Sequence, residues 1–320
     1  MKVRLFAGGA LSVVLAACGG AEPAPGETTT PPAEAPVETP APEPAGPPQG
    51  GAAALWTLAD EDTTVHLFGT VHVLKPGTVW RSDAFEAAFD EADTIYFEAD
   101  VSSPASQSAA AQLITTRGLY TDGRTLTEVL DEDDEREVAE AVAVIGAPLT
   151  SYDPMKPWFA GMTMGLQQLI SQGYAADSGV EVTLGEEAAL AGKEARYLET
   201  VEEQIGFFAD LPEEDQIDFL VASAVAIEDD PTQLDRLVVE WTEGDVAAIG
   251  EMLSDVDAFG TSAVYDTLLT NRNADWVDQI TALMEDEEGV FMIAVGAGHL
   301  AGPDSVQAML RAEGYEVNGP

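Results

Sequence analysis

The 320-residue chain carries 58 acidic against 13 basic residues, a formal net charge of −45, with one cysteine and three histidines. So negative a surface argues against nucleic acid and anionic membrane surfaces as partners and fits a salt-adapted or strongly acidic proteome. A single cysteine excludes internal disulfides and thiolate zinc sites, so any metal must be held by imidazole, carboxylate, carbonyl or water.

In chain order, Lys2 and Arg4 precede an apolar run, LFAGGALSVVLA, that ends at Ala17 and Cys18. The run is too short to span a bilayer and has the flanks of an export signal. Its small-residue end resembles a bacterial lipoprotein signal, which implies cleavage before Cys18 and lipidation of that cysteine, with membrane attachment through it. Gly19 stands where an aspartate would retain a lipoprotein in the inner membrane. An exported lipoprotein at the periplasmic face of the outer membrane is therefore expected if the host is Gram-negative. Residues 19–51 are rich in Pro, Ala and Glu, with almost no large apolar side chains. Such a segment cannot form a core and is expected to be an extended tether. At ~3.1 Å per residue in polyproline II it reaches roughly 100 Å. The chain thus divides into a signal (1–18), a tether (19–51) and one folded domain (52–320).

The folded part opens with two apolar strands around an acidic turn, ALWTLA and TVHLFGT, which predict a β-hairpin. WRSDAFEAAFDEA places Phe85, Ala88, Phe89 and Ala92 on one helical face, and TIYFEAD then predicts a strand ending at Glu98. Strand, helix and strand in close succession imply a βαβ unit with parallel strands. From Ala105 to Ala195 the pattern is mostly helical, with several segments closed by glycine as helix C-caps are. ARYLET predicts a short strand ending at Glu199, and Val201 to Glu285 is helical again. GVFMIAV, the GAGH loop, DSVQAMLRAEG and YEV give a second strand, helix and strand. The expected fold is α/β: a central mixed sheet flanked by helices, with a large helical insertion between two β-α-β-like halves.

Two of the three histidines close the same phrase, Gly-x-x-His, directly after an apolar strand: Gly69 to His72 and Gly296 to His299. Open α/β sheets bind ligands past the carboxyl ends of their strands, so His72, His299, Glu98 and Glu199 should gather at one sheet edge. Imidazoles placed there point to metal binding or proton transfer. Glu98 ends an apolar strand, where an ionised carboxylate is costly unless paired or metal-bound. Glu199 precedes a helix start, where a carboxylate is also favourable through capping and the helix dipole. A base role and a purely local role stand even for it. Arg272 suits either a salt bridge to a buried carboxylate or orientation of a substrate carboxylate or oxyanion. Thr70 and the glycines Gly69, Gly296 and Gly298 shape the two loops. His66, inside the hairpin, reads as a partly buried structural partner. The chain has no GxSxG elbow, P-loop, Rossmann glycine fingerprint or HExxH.

FGTVHV, TIYFEAD, GLYTDGRTL, KPWFA, DSGVEVTL, LETVEEQ, EWTEGD, NRNADW and VGAGHLAGPDSV, in that order from Leu55 to Val317, resemble the TraB/GumN family. That family is related to the TIKI metalloproteases and, more distantly, to erythromycin-esterase and ChaN-like proteins. The resemblance implies a divalent-metal site built from His72, His299 and Glu98, with manganese or cobalt as supporting metals. Carboxylate-rich ligation also favours manganese over copper, with zinc left open. The function expected is a lipid-anchored metal-dependent hydrolase, a peptidase acting on a peptide or protein substrate, with Glu98 or Glu199 as proton acceptor and Arg272 at the substrate or oxyanion. The alternative is a non-catalytic protein that binds a peptide or haem on the same fold.

Overall fold

The computed structural model describes residues 50–320 apart from Asp255, so Cys18 and the tether lie outside the described residues. The hairpin forms as expected: β1 (Leu55–Ala59) runs antiparallel to β2 (Thr63–Thr70), with Leu55 opposite Phe68. Helix α1 (Asp83–Glu91) is N-capped by Ser82, buries Phe85, Ala88 and Phe89, and leads into β3 (Thr94–Phe97). Then come α2 (Pro104–Leu113), α3 (Leu126–Val129), α4 (Glu132–Ile145), α5 (Pro157–Ser171) and α6 (Val180–Ala191). Strand β4 (Glu194–Tyr197) follows, and after it α7 (Val201–Ala209), α8 (Glu213–Asp229), α9 (Gln233–Glu243), α10 (Val246–Leu253), α11 (Ser262–Tyr265) and α12 (Asn271–Asp286). The chain closes with β5 (Gly289–Gly296), α13 (Val306–Ala312) and β6 (Val317–Asn318). As the glycine pattern predicts, α4 and α6 end on Gly146 and Gly192 in the left-handed conformation, which glycine adopts without a Cβ penalty, and α9 ends on Gly244 in the same way.

The six strands form one mixed sheet in the order β4-β3-β5-β2-β1-β6. β2 and β3 are parallel, as the βαβ reading requires, but β5 from the far end of the chain is inserted between them. β5 alternates strictly: Phe291, Ile293 and Val295 face one apolar cluster, and Met292 and Ala294 the other. Both faces are covered, as parallel sheets demand. The first cluster is sealed by Trp276, Ile280 and Leu283 of α12 and Leu310 of α13, the second by Phe85 of α1 and Leu184 of α6 among others. Each such fully buried side chain stabilises the fold by about 1.5–3 kcal/mol. The helical insertion has its own core, in which Leu126, Val138, Met164, Leu220 and Ile227 pack together. Among the described residues no helix is long and apolar enough to cross a membrane.

The register fixes the site. Thr70 pairs with Gly296, Phe97 with Ala294 and Phe97 with Tyr197. Four neighbouring parallel strands therefore end close together, and Gly296 at the end of β5 shares one sheet edge with Glu199, Glu98 and His72, which lie just beyond theirs.

Candidate functional site

Glu98 leaves β3 and is only 3% exposed. Its Oε1 accepts from the Gly296 amide at 2.7 Å, and its Oε2 accepts from Arg272 Nη2 at 2.7 Å and Gln204 Nε2 at 3.1 Å. Glu199 accepts from Arg272 Nε and Nη2, both at 2.8 Å, from Gln204 Nε2 at 3.0 Å and from the Trp276 indole at 2.9 Å. The local reading of Glu199 does not hold: Thr200 is the N-cap of α7 and forms a capping box with Glu203, leaving the Glu199 carboxylate in the site. Burial raises the Glu199 carboxyl above its ordinary range, and Arg272 pulls it back only in part. Arg272 lies in the first turn of α12, directly after a π-helical turn at Asp266–Thr270 whose Leu268 carbonyl accepts from its Nη1. Its guanidinium also faces the Trp276 ring, 4.8 Å from the centroid. The salt-bridge reading of Arg272 is thus realised, twice over.

The two imidazoles are held from behind. His72 Nδ1 lies 2.6 Å from Glu181 Oε1, an atom that also accepts from Thr70 Oγ1. Glu181 sits in the first turn of α6, and that helix starts against the loop: Val180 N donates to the Val71 carbonyl, and a Cβ on Gly179 would overlap the His72 carbonyl oxygen. Burial lowers the affinity of His72 for its proton, but the Glu181 carboxylate, with a smaller part from Glu98, outweighs it and holds the imidazole at about 9. His299, 1% exposed, has Nδ1 at 2.6 Å from Asn273 Oδ1 and Nε2 at 3.1 Å from Arg272 Nη1. Asn273 Nδ2 is committed to the Asp304 carbonyl. That fixes its oxygen toward His299, so Nδ1 carries the hydrogen and Nε2 accepts from the guanidinium. Burial and the Arg272 charge push His299 well below its ordinary value.

The glycines earn their place by what a side chain would displace. A Cβ on Gly296 would stand 3.1 Å from Glu98 Oε1, 3.5 Å from His72 Nε2 and 3.6 Å from His299 Cδ2, so the three residues of the sequence reading converge on this point. A Cβ on Gly69 would press on Ala297 Cα at 3.1 Å, and one on Gly298 on Leu253 at 3.3 Å. His66 is a structural partner, 2.9 Å from Thr57 Oγ1. Glu181, Gln204 and Asn273 complete the site and were not singled out from sequence.

These residues can be tested against a divalent ion. Each Nδ1 is engaged, by Glu181 or by Asn273, the arrangement that orients the Nε2 of a metal-ligating histidine. With His72 neutral, three buried carboxylates (Glu98 and Glu199 on Arg272, Glu181 on His72) are balanced by one guanidinium, leaving two buried negative charges if all are ionised, which a divalent cation would offset. Chemistry and orientation fit. As placed, however, no three His, Cys, Asp or Glu side chains among the described residues form a metal-holding group. His299 Nε2 is occupied by Arg272 instead, so an ion and the guanidinium compete for one lone pair.

A family model described as the TraB/PrgY/gumN family matches residues 54–319, and the chain belongs to that family. Similar proteins include an uncharacterized protein of Treponema pallidum, 20% identical over 268 residues that cover 80% of this chain and 79% of that protein. The uncharacterized protein YbaP of Escherichia coli is 24% identical over 258 residues, 77% of this chain and 87% of its own. Metalloprotease TIKI1 of Danio rerio is 25% identical over 316 residues, 82% of this chain and 62% of its own length. No solved structure matches.

Proposed function

We propose, for this member of the TraB/PrgY/gumN family, a metal-dependent hydrolase acting on peptide bonds, exported and lipid-anchored through Cys18. The observation that carries the reading is the convergence of His72, Glu98 and His299 on Gly296, with both imidazoles anchored at Nδ1. The similarity to a protein named as a metalloprotease supports it. His72, His299 and Glu98 would hold the ion, with manganese or cobalt favoured and zinc next. When bound, such an ion supplies Lewis acidity toward a carbonyl and a water of lowered pKa.

The chain's own residues do the rest. Glu181 and Asn273 fix the two rings, so the ligand atoms are positioned before substrate arrives. Glu199 is raised by burial and would take up a proton only on giving up one of the hydrogen bonds its two oxygens accept from Arg272, Gln204 and Trp276. Arg272 bridges Glu98 and Glu199 and keeps one Nη1 hydrogen directed at His299. Released from His299, that donor is available to a developing oxyanion.

The test is turnover of a mixture of blocked peptides, read by mass spectrometry, with protein stripped by chelator and then given manganese, cobalt or zinc. Cleavage that returns with metal and is lost in His72→Ala and His299→Ala is expected. A folded wild-type protein that binds peptide or haem yet cuts nothing under any metal would replace the hydrolase with the binding-protein reading.

A further inference from the structure

His72 and His299 line a cleft whose wall includes Gln233, Leu234 and Leu237 from the first two turns of α9, and that helix is fastened unevenly. Its C-terminal end is anchored in the core. Trp241 is buried, lies against Trp80 and donates from its indole to the Gly69 carbonyl at 2.8 Å. Beside it the Ala52 amide donates to the Thr242 carbonyl, and a Cβ on Gly244 would overlap the Ala52 carbonyl oxygen. Among the described residues of α9 only Gln233 and Trp241 are buried, whereas the preceding α8 buries Phe219, Leu220, Ala224 and Ile227. Leu234 and Leu237 are half-buried. What holds the first two turns is polar. Asp235 Oδ1 accepts from Lys75 Nζ at 2.6 Å and from the Tyr174 hydroxyl at 2.7 Å, with the ammonium 4.9 Å from the centre of the Tyr174 ring. Gln172 Nε2 donates to the Pro231 carbonyl in the link from α8. Lys75 and Tyr174 belong to two loops joined by the Leu74–Ala175 bridge, and the first of these loops also carries His72. Lys75 and Asp235 are 43% and 42% exposed, where an ion pair is weak and screened by salt. The Asp230–Arg236 pair ties α9 to its own lead-in rather than to the body of the domain. A segment with few buried apolar contacts, held by exposed polar ones, opens at low free energy while its surroundings stay folded.

We propose that the first two turns of α9 are a lid on the cleft: they open as a unit about the Trp241 anchor, and Lys75, Asp235 and Tyr174 form the latch that holds them closed. Opening uncovers the cleft on its α9 side and admits a ligand to the two imidazoles. Lys75 stands three residues beyond His72, so the latch closes onto the loop that presents one of those imidazoles. The lid rests on the hydrolase reading only for what passes it; the opening itself is measured without turnover.

The experiment is hydrogen exchange of the full chain followed by mass spectrometry, in the wild type, in Lys75→Met and in the double variant Lys75→Met, Tyr174→Phe. Both substitutions lie outside α9 and keep the apolar bulk of the side chain, and melting curves report whether each variant folds. In the wild type the amides of Arg236 to Glu240 are expected to exchange about tenfold or more faster than those of α8. The double variant should quicken them about tenfold again, through the lost ion pair and hydrogen bond, with α8 and α12 unchanged. Lys75→Met alone, at an exposed position, should give about twofold to fivefold. Raising salt from about 0.1 to 1 M should speed α9 relative to α8 in the wild type and not in Lys75→Met. Uptake of the neutral apolar dye Nile red should quicken by the same factor as the exchange. Amides of α9 as slow as those of α8, a rate unmoved in the folded variants, acceleration shared equally by α8 and α12, or dye uptake that is absent or unchanged would overturn the lid. A lid that opens on a protein cutting no peptide under any metal sustains the lid and rejects the hydrolase, whereas cleavage by a protein whose α9 opens no more readily than α8 does the reverse.

Discussion

His72 and His299 end the same four-residue phrase on adjacent parallel strands, yet the protein gives them opposite proton affinities. His72 backs onto the Glu181 carboxylate and is held at about 9. His299 backs onto the neutral Asn273 amide, faces the Arg272 guanidinium and falls well below its ordinary value. Both rings are buried, so burial is common to them and the partners make the difference. One glutamate and one arginine, from helices far away in sequence, turn a repeated motif into one cationic and one neutral imidazole. A site with one ring protonated and one neutral can offer a donor and an acceptor at the same pH. It can also present two neutral ligands, once a proton is surrendered to a metal.

Removing Arg272 should lift His299 part of the way back, at the greatest expense in stability. Arg272→Ala leaves Glu98 and Glu199 buried without their cation, and breaking a buried pair in this way destabilises by about 3–5 kcal/mol, to be read from urea denaturation. In the variant that remains folded, the His299 imidazole should titrate closer to its ordinary range in an NMR pH series. An unchanged His299 would assign its depression to burial and the His72 charge, without Arg272.

Glu181→Gln attacks the other half. In the metal-free protein His72 is raised above its unfolded value of 6.5 to about 9, so its contribution to stability is fully present below pH 6.5 and is lost as pH rises through 9. The magnitude is about 3 kcal/mol by linkage. Glu181 itself is held below its ordinary value despite its burial, so its share is present above pH 4.5 and lost on acidification. Glu181→Gln should flatten the fall in stability between pH 6.5 and 9 and drop His72 below 6.5, because burial and the Arg272 charge then outweigh the smaller contribution of Glu98. A slope unchanged by the substitution would detach His72 from Glu181.

Asn273→Ala should act more gently. The His299 Nδ1 hydrogen loses its acceptor, at a cost of about 1–3 kcal/mol, and the ring loses its orientation. Metal affinity should fall about 10- to 100-fold, as it does when the partner of a ligating histidine is removed. Calorimetric titration with manganese measures it, and unchanged affinity would remove His299 from the ligand set. The third histidine is the smallest case and serves as a control. His66 is lowered by burial, so it supports the fold above pH 6.5 and withdraws that support below it. His66→Gln should reduce the acid-side loss by about 1 kcal/mol or less, seen as a small rise in melting temperature at pH 5, with no effect on metal binding.

The sheet was legible because its strands carry their own signals. TVHLFGT and GVFMIAV are apolar runs stopped by glycine, and the C-caps at Gly146 and Gly192 stand where the helical periodicity ends. The insertion of β5 between β2 and β3 was not legible, since no local pattern distinguishes which parallel strands touch. In the site, His72 and His299 were found through their shared phrase and Glu98 through the cost of a charge ending an apolar strand. Glu181 stayed hidden because a glutamate in a first helical turn is fully explained by the helix dipole. The signal that exposes it is Gly179, whose missing side chain lets the helix start touch the His72 carbonyl. Asn273 and Gln204 were hidden for a similar reason: an uncharged amide on a helix face carries no cost until its tertiary surroundings are known. The fold was thus readable from local chemistry, whereas the partners that decide each histidine's charge come from tertiary contact.

The most direct measurement of the central claim is the stoichiometry of manganese bound by the full chain purified without chelator, measured by elemental analysis beside His72→Ala and His299→Ala. One ion per wild-type chain, lost from both folded variants, is the predicted result. A wild-type protein that takes up no ion after reconstitution with manganese, cobalt or zinc, or that keeps it in either variant, would contradict a site shared by the two histidines.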